Sequence, residues 1–275
     1  MKSLGKALRV IAEFQRGGRD LSVTEISRTL DIPKSQVSRM LAEFRDNGWL
    51  TQDPVTRTYS VGLRAYVVGV RYLSANTLAR QALPSLRMAA DKSGFASTIS
   101  ILDDFRPLYL FGVESPVFAD FGTRMGEHFP MHASAPGKAL AAFSPPDIVR
   151  KWVSKHGLAP ITSNTICEYQ DLKRELSRIR ERGYAISRGE RTPGLSGLAV
   201  PVFESDGSLA AVMGLGFPEH NIGPDRFDYY AAILHDSARV LSARLGMKRY
   251  PTGNTAKKSL RSPQAGAESN TGAPQ

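Results

Sequence analysis

Residues 32–49, IPKSQVSRMLAEFRDNGW, read as a turn followed by a short amphipathic helix. Val37, Leu41 and Phe44 recur at helical spacing and face a core. Ser35, Gln36, Ser38 and Arg39 fall on the opposite side, a face with hydrogen-bonding groups and a cation but no matching acids. Pro33 suits the first turn of such a helix, where an amide hydrogen would have no partner in any case. Gly48 is a natural left-handed stop. Just upstream, SVTE at 22–25 is a capping box: Ser22 and Glu25 can each accept from the other's amide, and a helix follows to Leu30. Further back, Leu4, Leu8, Ile11 and Ala12 mark a first helix that ends near Gly17 and Gly18. Downstream, WLTQDPVTRTYSV (49–61) places two short extended runs around Asp53-Pro54, a hairpin with a long tip. Helix, helix–turn–helix and hairpin is the order of a winged helix–turn–helix, with the paired helices over about 22–46 and the wing over 49–61.

In that fold the second helix of the pair enters the major groove of double-stranded DNA. Gln36 suits adenine and Arg39 guanine, each bidentate contact being worth roughly 1–3 kcal/mol of discrimination. Ser35 and Ser38 lie beside them. Lys34, at the helix start, and Arg57, at the wing tip, suit phosphates, which position the protein without specifying a sequence. Composition agrees with a polyanionic partner: among 275 residues, Lys plus Arg number 36 and Asp plus Glu 26, a net charge of +10. That charge is spread along the chain and does not by itself locate a nucleic-acid face. No apolar run reaches the roughly 18 residues of a membrane span. The N-terminal stretch lacks the unbroken apolar core of a secretory signal. The one cysteine, Cys167, cannot form an internal disulfide, which suits a reducing compartment, so the expected location is the cytoplasm.

Texture divides the chain into a winged helix–turn–helix domain (1–62), a linker helix (63–81), a second domain (82–249) and a tail (250–275). The tail is rich in Pro, Gly, Ser, Asn and Thr and is expected to be disordered. Residues 63–94 carry helical spacing, with Pro84 marking a kink or restart. ASTISIL (96–102) pairs with LYLFGVES (108–115), and SGLAVPVF (196–203) with SLAAVMGLGF (208–217), around turn signals. Helices are expected at 135–143, 146–155, 170–182 and about 225–247. Strand pairs interrupted by helices indicate an α+β domain with a mainly antiparallel sheet. In HASAPGKAL (132–140), small residues such as Ala135 and Gly137 allow a ligand close to the backbone, and the following helix start offers amides to a carboxylate. The same smallness also serves tight loop packing.

Catalytic signatures fail residue by residue. GLSGL (194–198) has Leu198 where a nucleophile elbow needs glycine. Around Gly137-Lys138, His132 and Ala139 replace the glycine and hydroxyl of a phosphate-binding loop. His128 and His132 straddle Pro130 and read as a partly exposed loop pair that shares no helical metal face. No nucleophile, base and orienter can be nominated together. No catalytic residue, metal or cofactor is expected.

Five stretches jointly resemble IclR-type transcriptional regulators: SLGKALRVIAEF (3–14), LSVTEISRTLDIPKSQVSRMLAEFRDNGWL (21–50), YSVGLRAYVVG (59–69), RMGEHFPMHASAPGKALAAF (124–143) and RGYAISRGERTPGLSGLAVPVFESDGSLAAVMGLGFP (182–218). The resemblance spans about residues 3–248. It implies a winged helix–turn–helix, a linking helix and a GAF-like α/β effector-binding domain for a small organic acid. It also implies a homodimer or homotetramer on an operator, regulating a catabolic operon. Motif matching puts Ala135, Gly137, Ser187, Glu190, Gly197, Met213 and Leu215 along the effector cleft. Three departures stand out: Gly197 where the family often has Cys, Met213 and Leu215 where it often has Ser, and Ser35-Gln36 where Ser-Thr is common. With Met213 and Leu215 facing inward, the cleft favours a carboxylate with a hydrocarbon or aromatic body. The alternative register turns Val212 and Gly214 inward. A DNA-binding domain fused to a small-molecule enzyme, and a constitutive DNA-organising protein without an effector, are the rival functions.

Overall fold

The computed structural model describes residues 2–15, 20–114 and 125–251. Gly17, Gly18 and residues 252–275 of the expected tail lie outside them. The N-terminal unit comprises α1 (Lys2–Ala12), α2 (Val23–Leu30), α3 (Lys34–Asp46), β1 (Leu50–Gln52) and β2 (Tyr59–Val61). The capping box forms as expected: Ser22 Oγ accepts from the Glu25 amide at 3.2 Å, and the Glu25 carboxylate accepts from the Ser22 amide at 2.9 Å. Pro33 stands one residue ahead of α3, where its carbonyl accepts from the Gln36 and Val37 amides. Val10, Ile26, Ile32, Val37, Leu41, Leu50 and Tyr59 make the core, with Phe44 partly buried at its edge. Leu21 exchanges both backbone hydrogen bonds with Tyr59, so the wing gains a third extended segment that local pattern did not reveal. Leu4 and Leu8, which mark the helix in the sequence, are 67% and 58% exposed, because α1 turns Val10 and Ile11 to the core.

The connection to the second unit breaks at Asn76, not at Pro84. α4 (Leu63–Ala75) ends there, and the Asn76 side chain accepts from the Ala79 amide at 3.0 Å to start α5 (Thr77–Ser93). Pro84 lies inside α5 on its exposed side. Burial of Leu78, Ala82, Leu86 and Ala89 along the opposite side holds the helix through the missing hydrogen bond.

The C-terminal sheet has the order β4-β3-β7-β6-β5, every neighbouring pair antiparallel: β3 (Ala96–Asp103), β4 (Arg106–Val113), β5 (Ala185–Arg188), β6 (Leu195–Phe203) and β7 (Leu209–Pro218). β5 is an edge strand of four residues, too short for an alternating signal. One face carries α5 and α9 (Phe227–Arg244); the other carries α6 (Ala135–Phe143), α7 (Pro146–His156) and α8 (Tyr169–Arg182). Phe227, Ala231, Leu234, Ala238 and Leu241 are buried along α9, which starts after a 3-10 turn at Pro224–Arg226 and is shorter than the spacing predicted. The register pairs Val200 with Met213, Leu198 with Leu215 and Ala199 with Gly214. Met213 and Leu215 therefore pack with α5 and α9, while Val212 and Ala199 pack with α6. The expectation that Met213 and Leu215 line the α6 side is corrected, and the alternative parity is the one adopted.

Tyr250, assigned to the tail by composition, is packed into the C-terminal core. Its hydroxyl donates to the Pro201 carbonyl at 2.7 Å and lies 3.2 Å from His235 Nδ1. Burial pulls His235 down to about 4. Because the folded value is depressed below the unfolded value near 6.5, its contribution is fully present above about pH 6.5 and is lost as the pH falls toward 4. Urea denaturation at pH 7 and pH 4 should give wild-type protein a loss about 3 kcal/mol larger than His235→Gln shows. Equal losses in the two proteins would remove His235 as an acid-labile element of the core.

Candidate DNA-reading face and effector site

On α3, Val37 and Leu41 are fully buried behind a free face on which Lys34, Ser35, Ser38 and Arg39 are exposed. Arg39 Nε donates to the Ser35 carbonyl at 3.4 Å, and the guanidinium has no carboxylate partner among the described residues. Gln36 departs from the expectation. It is half-buried and its Oε1 accepts from Lys6 Nζ at 3.0 Å, so the amide is turned toward α1 and away from the strip that carries Ser35 and Arg39. The cause is helical geometry: Gln36 precedes the buried Val37 and flanks the side on which α1 packs. The wing stands beside α3, tied to its end by Arg45 Nη1 donating to Gln52 Oε1 at 3.1 Å. At the wing tip, Asp53 Oδ1 accepts from the Val55 and Thr56 amides and the Thr56 hydroxyl, and these bonds hold its carboxyl below the usual range. Arg57 is exposed at the far side of that turn, in the left-handed region at φ 60°.

The second region lies where α6 meets the sheet. Ser134 caps α6 by accepting from the Gly137 amide at 3.1 Å, and its carbonyl accepts from the Lys138 amide at 2.9 Å. Pro136 has no amide hydrogen, so of the first-turn amides only that of Ala135 has no partner among the described residues. Gly137 is small for packing: a side chain there would start 2.4 Å from the Met131 carbonyl oxygen. Ala135 is buried against the sheet, where a side chain on Gly197 would start 3.6 Å from its Cβ. One on Gly214 would start 3.3 Å from Pro136 and 3.1 Å from the Thr98 hydroxyl. Ser187, buried and paired in register with Gly197, shares this face. Ala135, Gly137, Ser187, Glu190 and Gly197 are thus brought to one side of the sheet, and Met213 and Leu215 are not.

Glu190 is buried, and its carboxylate accepts from Lys138 Nζ at 2.6 Å, where Lys138 is 2% exposed. Burial pushes the Glu190 carboxyl up against the pull of that ammonium. Glu175 approaches Lys138 at 4.0 Å and pairs with Arg182 at 2.8 Å. A second clasp comes from the loop before α8: Thr162 and Thr165 hydroxyls donate to the Gly189 and Glu190 carbonyls, each at 2.7 Å, and Asn164 Nδ2 to the Arg188 carbonyl at 3.1 Å. His132 is buried, contrary to the exposed reading, with Nε2 3.0 Å from the Ala159 carbonyl; burial pulls its pKa down. His128 instead pairs with Asp103 at 2.9 Å.

Sequence reasoning discarded Lys138 with the failed phosphate loop and did not single out Tyr109, Phe129 or Arg191. The two rings stack with centroids 4.1 Å apart, and the Arg191 guanidinium carbon lies 5.9 Å from the first centroid and 5.8 Å from the second. Arg188 ends β5 and Glu190 and Arg191 follow in the turn after it, and no periodicity says which of the three points inward.

Two family models match the chain: the IclR helix-turn-helix domain over residues 3–54, and the bacterial transcriptional regulator IclR C-terminal domain over residues 70–243. The transcriptional regulator KdgR of Escherichia coli (strain K12) is 29% identical over 251 residues, covering 90% of this chain and 95% of the relative. The crystal structure of an IclR transcriptional regulator from Alicyclobacillus acidocaldarius aligns with a TM-score of 0.77 at 28% identity, covering 90% of this chain and 99% of that one. An IclR homologue from Microbacterium hydrocarbonoxydans, solved in complex with 4-hydroxybenzoate, shares the fold at a TM-score of 0.73 and 21% identity, over 88% of this chain and 98% of that one. These relatives are regulators, not enzymes, and no helix among the described residues is long and apolar enough to cross a membrane. With a helix–turn–helix that leaves its second helix exposed and a C-terminal α/β domain of matching fold, the chain belongs to the IclR family of DNA-binding transcriptional regulators.

Proposed function

We propose that this regulator reads an operator in the cytoplasm with the free face of α3, and that a small organic acid bound on the α6 side of its C-terminal sheet changes operator affinity. The observation that carries the reading is the exposed strip Lys34, Ser35, Ser38 and Arg39, backed by buried Val37 and Leu41 and flanked by a wing with Arg57 at its tip. Arg39 makes the base contact, Lys34 and Arg57 take phosphates, and Gln36 holds α3 against α1. Coupling is linkage: an acid that binds two arrangements of the assembly unequally shifts DNA affinity by that difference. A catabolic operon is the fitting target for such control.

A homodimer, alone or paired into a tetramer, is the working form. α4 buries none of its residues within the described chain, and Leu63, Tyr66, Val67 and Leu73 recur on it at helical spacing with exposures from 38% to 73%. Leu4 and Leu8 on α1 are exposed as well. An apolar surface of this extent is a surface for a partner, and a second copy brings two recognition helices to a two-fold operator.

Footprinting on the region upstream of its gene, with and without candidate acids, tests the whole reading; an unchanged footprint across the panel would leave a DNA binder without effector control. Arg39→Ala should weaken operator binding by roughly 1–3 kcal/mol and relax preference at one or two bases, as fluorescence anisotropy with single-base variants will measure. Normal affinity in that variant would take α3 out of the groove. Arg57→Gln should instead weaken binding to all sequences and lower the salt slope by roughly one unit. The double change Tyr66→Glu and Val67→Glu should shift sedimentation toward the monomer and abolish tight operator binding.

A further inference from the structure

Arg191 has an environment that the DNA-reading and fold-stabilising roles do not use. It is partly buried in the turn between β5 and β6, its guanidinium lying over the stacked pair Tyr109 and Phe129. Tyr109 is opposite Ser100 in the β3–β4 register, and Ser100 is opposite Val212, which places the Tyr109 position on the α6 side of the sheet. Phe129 lies just before the segment that leads into the Ser134 cap of α6. The aromatic pair and Arg191 therefore border the region where the α6 helix start meets the sheet.

The surrounding cations are committed to acids. Lys138 pairs with Glu190 at 2.6 Å and Arg182 with Glu175 at 2.8 Å, while Arg188 meets Glu219 at 3.4 Å and lies over the Phe227 ring, on the α9 side. Arg191 has no carboxylate partner among the described residues; its guanidinium donates a hydrogen bond to the Tyr109 hydroxyl oxygen. A guanidinium carries five donors, so the bond to Tyr109 leaves others over, and its planar fork matches a carboxylate with two parallel hydrogen bonds. The sheet offers neutral hydroxyls on this face, at Ser187, Thr98 and Ser100, while Gly197 and Gly214 add none, so none of these positions supplies the charge that a guanidinium does.

We propose that Arg191 is the cation that grips the effector's carboxylate, and that the effector is an arylcarboxylate whose flat body rests against Tyr109 and Phe129. This rests on the effector reading above. An aromatic ring gains from stacking and edge contacts with the pair, and its carboxylate reaches the guanidinium in the same plane. A compact two-carbon oxoacid leaves the rings uncovered and gains nothing from them.

The test is titration calorimetry of the full-length protein with benzoate, 4-hydroxybenzoate, glyoxylate and the neutral isostere benzamide, on wild type, Arg191→Gln and Arg191→Lys. Benzoate should bind wild type, bind Arg191→Gln roughly tenfold or more weakly, and bind Arg191→Lys in between, while benzamide should not distinguish the three. Thermal melting serves as the folding control; should Arg191→Gln melt early, Arg191→Lys decides, and wild-type affinity for benzoate in that variant counts against the fork. Equal benzoate affinity in wild type and Arg191→Gln, preference of wild type for glyoxylate, or failure of every aryl acid to bind would each overturn the proposal. Operator anisotropy separates it from the underlying reading. An acid that alters DNA affinity equally in wild type and Arg191→Gln keeps effector control and removes Arg191. Arg191-dependent benzoate binding without any change in DNA affinity keeps the anchor and removes effector control.

Discussion

The close seating of α6 on the C-terminal sheet is the constraint from which the rest of that domain follows. A Cβ on Gly214 would start 3.3 Å from Pro136, a tight contact, and one on Gly197 would start 3.6 Å from the Ala135 Cβ, so both strand positions lie directly against the helix start. Gly137 is closer still to its neighbour: a Cβ there would start 2.4 Å from the Met131 carbonyl oxygen, so only glycine lets the loop enter the helix along this path. The approach sets the α6 helix start, with its Ser134 cap, against the strands. It also gives small residues of HASAPGKAL a packing role: Ala135 meets the sheet at Gly197 and Gly137 meets the Met131 backbone.

Seating α6 so deep carries Lys138 into the interior, where a lone ammonium is costly by several kcal/mol. Glu190 answers that charge at 2.6 Å, and the answer has a structural consequence, since Glu190 sits in the turn after β5. The ion pair, together with the Thr162, Asn164 and Thr165 bonds to the backbone of 188–190, holds that turn against α6 and the loop before α8. Arg191 is the next residue, so its place over Tyr109 and Phe129 is inherited from a buried charge pair on the same turn. Replacing one partner of such a pair strands the other charge, whereas replacing both with apolar groups of similar size is far milder.

The N-terminal unit is built on the opposite logic. Its core is small, centred on Val10, Ile26, Val37, Leu41 and Tyr59, and it leaves α4 and part of α1 bare. Leu4, Leu8, Leu63 and Tyr66 are apolar residues at helical spacing that the described chain leaves exposed. Periodicity identifies a face to be covered. It does not distinguish a covering helix of the same chain from one supplied by another copy.

What the sequence alone determined is whatever local chemistry decides within a few residues: the capping box at Ser22, the turn at Gly48, the wing around Asp53, the strand pairs about 103–106 and 203–209, and the exposed strip of α3. The family motifs extended that reading to both domains. Only the tertiary structure decided the parity of β7, because Val212, Met213 and Leu215 are all apolar and all buried, and a strand covered on both faces carries no alternation to read. It alone turned Gln36 to Lys6, returned Tyr250 to the core, paired Lys138 with Glu190 across 52 positions, and set Arg191 on two rings from distant segments. These are contacts between parts of the chain far apart in sequence, and no local spacing encodes which partner a long polar side chain will meet once helices and sheet close upon one another.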